Sequence, residues 1–146
     1  MTVVYNKIMA DIQASLKREE GVRKFAYKDS LGLLTIGVGR CIEEGHGLGI
    51  SEEEADILLK NDIERSLNEC RSSFHQFWGD LTPSRQRAMI EMCFQLGLPK
   101  LKKFSKALAG MAAADYETAA DEFLDSRWAT QTPARAKRMA ALIREG

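Results

Sequence analysis

The sequence EEGVRKFAYKDSLGLLTIGVGR, residues 19–40, contains the strand-forming residues that distinguish the fold class of this chain. Its β-branched and aromatic residues form two runs on either side of the turn-like segment KDSLG at residues 28–32, a pattern typical of a β-hairpin. Gly37 and Gly39 weaken the second strand, which indicates a bulge or a close approach of another group to the backbone. We therefore expect a small antiparallel sheet in this region.

Helical patterns lie on both sides of the hairpin. Apolar residues recur at helical spacing from Tyr5 to about Glu19, and Gly21 fits a helix stop. The capping-box pattern at residues 51–54 predicts a helix from residue 52 to about residue 71. Further helices are predicted from Pro83, with Thr82 as N-cap, to Gly97, and over residues 104–113, 115–125 and 133–144, and a loop or short third strand over residues 43–49.

This order of elements predicts an α+β fold in one domain, residues 1–146. We expect a β-rich lobe of about residues 21–51, a connecting helix of about 52–71, and a helical lobe of about 1–20 and 72–146. Met89 and Leu59 are expected core positions. A cleft between two lobes commonly binds a ligand, so we expect the active site there.

Composition excludes several classes of protein. Hydrophobic residues make up 45% and charged residues 29% of the chain, which argues against a disordered protein. Lys+Arg and Asp+Glu balance at 21 each, so bulk charge predicts no nucleic-acid partner. No apolar run approaches the ~18 residues of a membrane span. The irregular spacing of 3 cysteines, with 2 histidines, matches no metal-binding pattern, so we expect free thiols, no metal and no cofactor.

The chemistry-bearing residues lie in the opening stretch. Glu20 is a carboxyl at a helix end, Asp29 lies in the hairpin turn, and Thr35 follows in the second strand. Two carboxyls across a gap are what glycoside hydrolysis requires, one to protonate the leaving oxygen and one to activate water or attack the sugar. Such a spacing is common, so by itself it leaves purely structural roles open.

The same stretch resembles the signature of the phage lysozymes of the T-even type, a family of muramidases. Its matching positions are Glu20, Gly21, Tyr27, Asp29, Gly32, Thr35, Gly37 and Gly39. Two later blocks match in the right order, Phe94-Gln95-Leu96-Gly97 and the segment from Ser126-Arg127-Trp128 to Arg138. Together the blocks span nearly the whole chain.

The resemblance implies a lysozyme-like fold and hydrolysis of the β-1,4 bond between N-acetylmuramic acid and N-acetylglucosamine in peptidoglycan, with inversion at the anomeric carbon. It implies Glu20 as the general acid, Asp29 as the second carboxylate, and Thr35 as a hydroxyl that helps to hold the attacking water. The substrate-binding residues that it implies are Phe94, Gln95, Arg127 and, beside the acid, Arg135.

Structural roles compete with several of these assignments. Phe94 and Trp128 could be core residues, because large aromatic side chains are usually buried for their area. Arg127 and Arg135 could be ordinary surface cations. A buried Gln95 would need a hydrogen-bond partner.

One position departs from the family. After Gly39 the family commonly has His, and this chain has Arg40. The position adjoins the expected cleft, so the change could alter binding or the response to pH. We expect Arg40 to form an ion pair with Asp62, which would stay charged where a His would titrate.

Two other functions remain open at this stage. A lytic transglycosylase cuts the same bond without adding water, and a wall-binding module could use the same fold without catalysis. The expected partner is a peptidoglycan glycan strand, with no nucleic acid, no stable membrane association and a monomeric state. The first 16 residues lack the apolar core of a signal peptide. We therefore expect synthesis in the host bacterial cytoplasm, action on the wall after release, and a role in host cell lysis.

Overall fold

The computed structural model describes residues 2–146 and contains a three-stranded sheet and mostly helices. The helices are α1 Val3–Glu20, α2 Glu52–Ser73, α3 His75–Trp78, α4 Pro83–Leu96, α5 Leu98–Leu101, α6 Ser105–Ala112, α7 Tyr116–Leu124, α8 Arg127–Gln131 and α9 Pro133–Glu145. The strands are β1 Arg23–Lys28, β2 Leu34–Gly37 and β3 Arg40–Cys41. The predicted α+β class is therefore confirmed.

Contacts divide the chain into an N-terminal unit, Met1–Asp56, and a C-terminal unit, Ile57–Gly146. The boundary between the two units falls inside α2, and the helix continues through it without a break. The predicted single domain with its two lobes stays a prediction. None of the helices that the structure describes is long and apolar enough to cross a membrane.

The N-terminal unit holds α1 and the sheet. Helix α1 ends where Gly21 takes a φ of +73°, a left-handed value that glycine adopts at little cost, and no residue of α1 is buried. The sheet is antiparallel in the order β1-β2-β3, with Thr35 of the central strand opposite Tyr27 and Cys41. The predicted hairpin is confirmed.

The third strand lies just before residues 43–49, the segment that was predicted to be a loop or a short third strand. It consists of Arg40 and Cys41, and the next residues turn instead, because the N–H groups of His46 and Gly47 both donate to the Glu43 carbonyl. Residues 43–47 therefore form a turn.

Helix α2 begins with the predicted capping box. The Ser51 N–H donates to Glu54 Oε2 at 2.8 Å, and the Glu54 N–H donates to Ser51 Oγ at 3.1 Å. Each residue thus satisfies a backbone donor that the first helical turn leaves free. The helix continues to Ser73, slightly past the predicted end.

The C-terminal unit holds the hydrophobic core, in which α4, α6, α7 and α9 pack together. The largest fully buried side chains include Met89, Met92, Leu101, Met111, Phe123 and Ile143. The expectation of a core position is confirmed for Met89 and wrong for Leu59, which is 46% exposed. Helical spacing identifies the apolar face of α2 but does not show how much of that face a neighbour covers.

Three short helices, α3, α5 and α8, were not predicted from sequence, and they have four or five residues each. Such elements are too short to show a 3.6-residue period. The predicted N-cap of α4 is confirmed, because the Arg85 N–H donates to Thr82 Oγ1 at 3.3 Å. Ser126 caps α8 in the same way through the Ala129 N–H.

Candidate active site

Glu20 is the last residue of α1, and its exposed side chain turns toward the sheet. A β-carbon built on Gly39 would lie 3.0 Å from Glu20 Oε2 and 3.2 Å from Glu20 Cδ, so the carboxyl group rests directly against the Gly39 backbone. Gly39 also has a φ of +66°, which side chains other than glycine adopt only under strain. The sequence-based expectation of a close approach to the backbone is confirmed at Gly39.

Asp29 organises the turn between β1 and β2. Its Oδ1 accepts the N–H of Leu31 at 2.8 Å and the N–H of Leu33 at 2.9 Å, and its own N–H donates to the Leu33 carbonyl at 3.0 Å. The two bonds to Oδ1 fix the orientation of the carboxylate, and the backbone bond closes the turn. Oδ2 takes part in none of them, so one carboxylate oxygen remains for another partner.

Thr35 is linked to Asp29 through Leu33. Its hydroxyl donates to the Leu33 carbonyl at 3.1 Å, the same oxygen that accepts the Asp29 N–H. Thr35 is buried, with 3% of its surface exposed, so its hydroxyl has a fixed position in the central strand. The structure therefore joins two of the three predicted catalytic residues through one peptide unit and sets the third, Glu20, against Gly39.

Arg40 pairs with a different acid from the one predicted. Its Nη1 donates to Glu54 Oε2 at 2.7 Å and to the Gly49 carbonyl at 3.0 Å. Asp62 instead pairs with Arg65, one helical turn away on α2. The expected Arg40–Asp62 pair is therefore wrong, because the capping box of α2 turns Glu54 back toward β3, a placement that spacing along the chain does not reveal.

Two of the predicted substrate-binding residues line one groove of the C-terminal unit. Phe94 and Arg135 border a space of about 440 Å³, together with Leu59, Ile63, Arg87, Ile90 and Glu91. Phe94 is 43% exposed, so it is not a core residue. The groove therefore combines an aromatic ring and cations with apolar walls. The predicted role of Arg135 beside the acid stays a prediction.

The other two predicted substrate-binding residues have different environments. Gln95 is half-buried, and its Oε1 accepts the indole N–H of Trp128 at 2.9 Å, which satisfies the expected need for a partner. Trp128 itself is 5% exposed and belongs to the core. Arg127 begins α8 and is exposed.

The family model "Phage lysozyme" matches residues 17–145. The chain belongs to the phage lysozyme family. This is a family of peptidoglycan-hydrolysing glycoside hydrolases of the muramidase type, as the sequence signature predicts.

Several curated proteins are similar to this phage lysozyme-family chain. It is 31% identical to the pre-baseplate central spike protein Gp5 of Enterobacteria phage T4, over 97% of this chain and 28% of the spike protein. It is 29% identical to the probable T4-type lysozyme 2 of Dictyostelium discoideum, over 95% of this chain and 96% of that protein. It is also 34% identical to the endolysin of Salmonella phage P22, over 75% of each chain. The chain thus spans a small part of one relative and nearly the whole of another.

Two acids hold the sheet of this phage lysozyme-family chain through contacts that were not predicted from sequence. Glu43 Oε2 accepts the Leu34 N–H at 2.9 Å, which ties the turn after β3 to the start of β2. Glu54 anchors Arg40. The capping box pointed to Glu54, but no local pattern marks Glu43, because its partner lies nine positions away.

The described residues of this lysozyme-family chain contain no group of three or more metal-ligating side chains. Cys70 and Cys93 are buried in the C-terminal unit, and burial raises the pKa of both thiols. Raised thiol pKa values disfavour the reactive thiolate.

Proposed function

We propose that this chain is an inverting muramidase that hydrolyses the β-1,4 bond between N-acetylmuramic acid and N-acetylglucosamine, with host cell lysis as its role. Glu20 is the general acid, and Asp29 with Thr35 positions and activates the attacking water. The observation that carries the proposal is that one short stretch places all three groups in the N-terminal unit. Asp29 and Thr35 are there joined through Leu33.

The acid step requires a carboxyl group that can reach the glycosidic oxygen. Glu20 is exposed, and its carboxyl lies against the Gly39 backbone. Because Gly39 has no side chain, the carboxyl can lie this close to the backbone, and its exposure leaves it accessible to a sugar. Protonation of the leaving oxygen by Glu20 breaks the bond to the departing saccharide.

The water step requires a second carboxylate with a fixed orientation. Two backbone N–H groups hold Asp29 Oδ1, so Oδ2 can accept a proton from water. The Thr35 hydroxyl donates its hydrogen bond to the Leu33 carbonyl, and its oxygen can still accept a hydrogen bond from that water. Attack by water on the face opposite the leaving group inverts the anomeric carbon and forms no sugar–enzyme bond.

The experiment that tests the function is mass spectrometry of soluble fragments from purified peptidoglycan, digested by the wild type and by Glu20→Gln. Glu19→Gln is the matched control, because it removes the neighbouring exposed carboxylate of the same helix. We expect reducing-end muramic acid products from the wild type and from Glu19→Gln, and none from Glu20→Gln.

Other outcomes would replace the proposal. Anhydro-muramic ends from the wild type would identify a lytic transglycosylase. Binding to peptidoglycan without any product would identify a wall-binding module. Proton NMR during the first minutes of hydrolysis distinguishes the mechanisms, because inversion of a β bond releases the α anomer first.

A further inference from the structure

Arg40 occupies a junction within the N-terminal unit. It lies in β3, where it pairs with Ile36 of β2, and it directly follows Gly39 in the chain. Its Nη1 bridges the Gly49 carbonyl at 3.0 Å and Glu54 Oε2 at 2.7 Å. One nitrogen therefore ties the edge strand of the sheet to the loop before α2 and to the first turn of α2.

The acceptor end of this bridge is itself held in place. Glu54 Oε2 also accepts the Ser51 N–H at 2.8 Å. That backbone hydrogen bond, together with the Arg40 charge, lowers the pKa of Glu54 below its ordinary value. The carboxylate is thus ionised at neutral pH, and both ends of the bridge are charged and oriented.

We propose that Arg40 is a positioning residue for Glu20, because it holds the Gly39 backbone as the wall against which the Glu20 carboxyl rests. This inference depends on the proposed role of Glu20. A β-carbon on Gly39 would lie 3.0 Å from Glu20 Oε2, so a small shift of this backbone changes the place of the carboxyl. Arg40 contacts neither sugar nor acid in this role and acts through its neighbour in the chain.

The geometry favours positioning over a purely stabilising ion pair. The Arg40 and Glu54 side chains are 36% and 38% exposed, and exposed ion pairs contribute little to folding stability because water screens them. The contribution of the pair is instead to orient the Arg40 side chain. A charge-assisted hydrogen bond to Glu54 at 2.7 Å and a hydrogen bond to the Gly49 carbonyl fix the guanidinium between the first turn of α2 and the loop before it. Glycine on both sides of the junction, at positions 39 and 49, leaves the backbone free to move without this tie.

The test measures kcat and KM on uncross-linked glycan chains for Arg40→Gln and Arg40→Lys. Lysine keeps the charge and can bridge the two acceptors, whereas glutamine loses the ion pair. We expect Arg40→Gln to lose about tenfold or more in kcat with KM nearly unchanged, since misplacement of a reacting group by about 1 Å can cost a hundredfold. Arg40→Lys should recover most of the loss. Arg65→Ala, which breaks the exposed Arg65–Asp62 pair on α2, is the matched control and should keep wild-type kcat.

The inference is overturned if folded Arg40→Gln keeps wild-type kcat, or if Arg40→Lys loses as much kcat as Arg40→Gln. If Arg40→Gln does not fold, Glu54→Gln takes its place, because its amide oxygen can still accept the Ser51 N–H. A smaller drop in kcat is then expected, and an unchanged kcat overturns the inference. Glu20→Gln, measured in parallel, separates the two proposals, since full activity in that variant would remove Glu20 as the general acid whatever the effect of the Arg40 variants.

Discussion

The carboxyl group of Glu20 and the backbone of Gly39 are in direct contact, with Oε2 3.0 Å from the place that a β-carbon on Gly39 would take. The helix end and the turn between β2 and β3 therefore meet at the residue to which we assign proton donation. Four predictions test this arrangement and its surroundings.

Gly39→Ala should lower activity by more than its effect on stability explains. The new β-carbon displaces the Glu20 carboxyl, and such a displacement can cost about tenfold or more in kcat. The left-handed backbone adds about 1–2 kcal/mol of strain for a non-glycine residue. Turnover of peptidoglycan and urea unfolding measure the two effects.

Gly37→Ala is the matched control for that substitution. Gly37 has a φ of +69°, close to the +66° of Gly39, but nothing lies within 4 Å of a β-carbon there. It should lose similar stability with a much smaller loss of kcat. Equal losses of kcat in the two variants would show that strain, and not contact with Glu20, explains the effect.

Asp29→Asn should abolish hydrolysis and keep the fold. An asparagine oxygen can still accept the N–H groups of Leu31 and Leu33, so the turn persists, while the charge that activates water is gone. Asp29→Ala removes both functions and should also destabilise the protein by about 0.5–1.5 kcal/mol for each turn hydrogen bond that it removes. Product analysis and thermal unfolding of both variants check this, and an active Asp29→Asn would remove Asp29 from the mechanism.

Gln95→Leu should destabilise the C-terminal unit by about 1–3 kcal/mol, because the buried indole N–H of Trp128 then lacks an acceptor. Gln95→Glu keeps an acceptor oxygen and should lose less. In a double-mutant cycle with Trp128→Phe, which removes the donor, the two losses should be less than additive. Additive free energies of unfolding would contradict a contribution of this hydrogen bond to stability.

The ionised Glu54 carboxylate should give folding stability a small dependence on pH in acid, through its Ser51 hydrogen bond and, to a lesser extent, through its exposed Arg40 ion pair. The pKa of Glu54 is lowered from 4.5 in the folded protein, first by the Ser51 backbone hydrogen bond and also by Arg40. A lowered pKa means that the unfolded chain binds the proton more readily, so this contribution is present above pH 4.5 and is lost as pH falls through the folded value. Unfolding free energies of the wild type and Glu54→Gln should therefore converge in acid.

Glu53→Gln is the control for that measurement. It removes a carboxylate that lies in the same helical turn as Glu54 but makes no ion pair with Arg40. The difference in unfolding free energy between Glu53→Gln and the wild type should not shrink in acid as the difference for Glu54→Gln does. If the unfolding free energies of the wild type and Glu54→Gln differ by the same amount from neutral pH into acid, the ionisation of Glu54 is not linked to folding.

Local features were predictable because their partners lie close together in the chain. The capping box of Ser51 and Glu54 and the N-cap Thr82 each involve residues three positions apart. The hairpin between β1 and β2 follows from strand-forming residues around a short turn. The family signature added the candidate catalytic residues, which spacing alone did not distinguish from structural ones.

Other features depend on partners that the chain brings from a distance. Periodicity predicted α1 and the apolar face of α2, but it did not show that Leu59 is 46% exposed. The partner of Arg40 was predicted as Asp62 and is Glu54, because the capping bond from Ser51 holds the Glu54 carboxylate where the guanidinium reaches it.

Side-chain chemistry within a few residues was enough to predict the α+β class, the hairpin and the main helix starts, and to mark the residues that carry the carboxyl groups. The path of the folded chain set the contact of Glu20 with Gly39 and the pairing of Arg40 with Glu54. It also decided that Gln95 accepts a hydrogen bond from Trp128, 33 residues away. The physical reason is that a contact across a long loop depends on the path of the whole intervening chain, whereas a cap or a turn depends on a few dihedral angles.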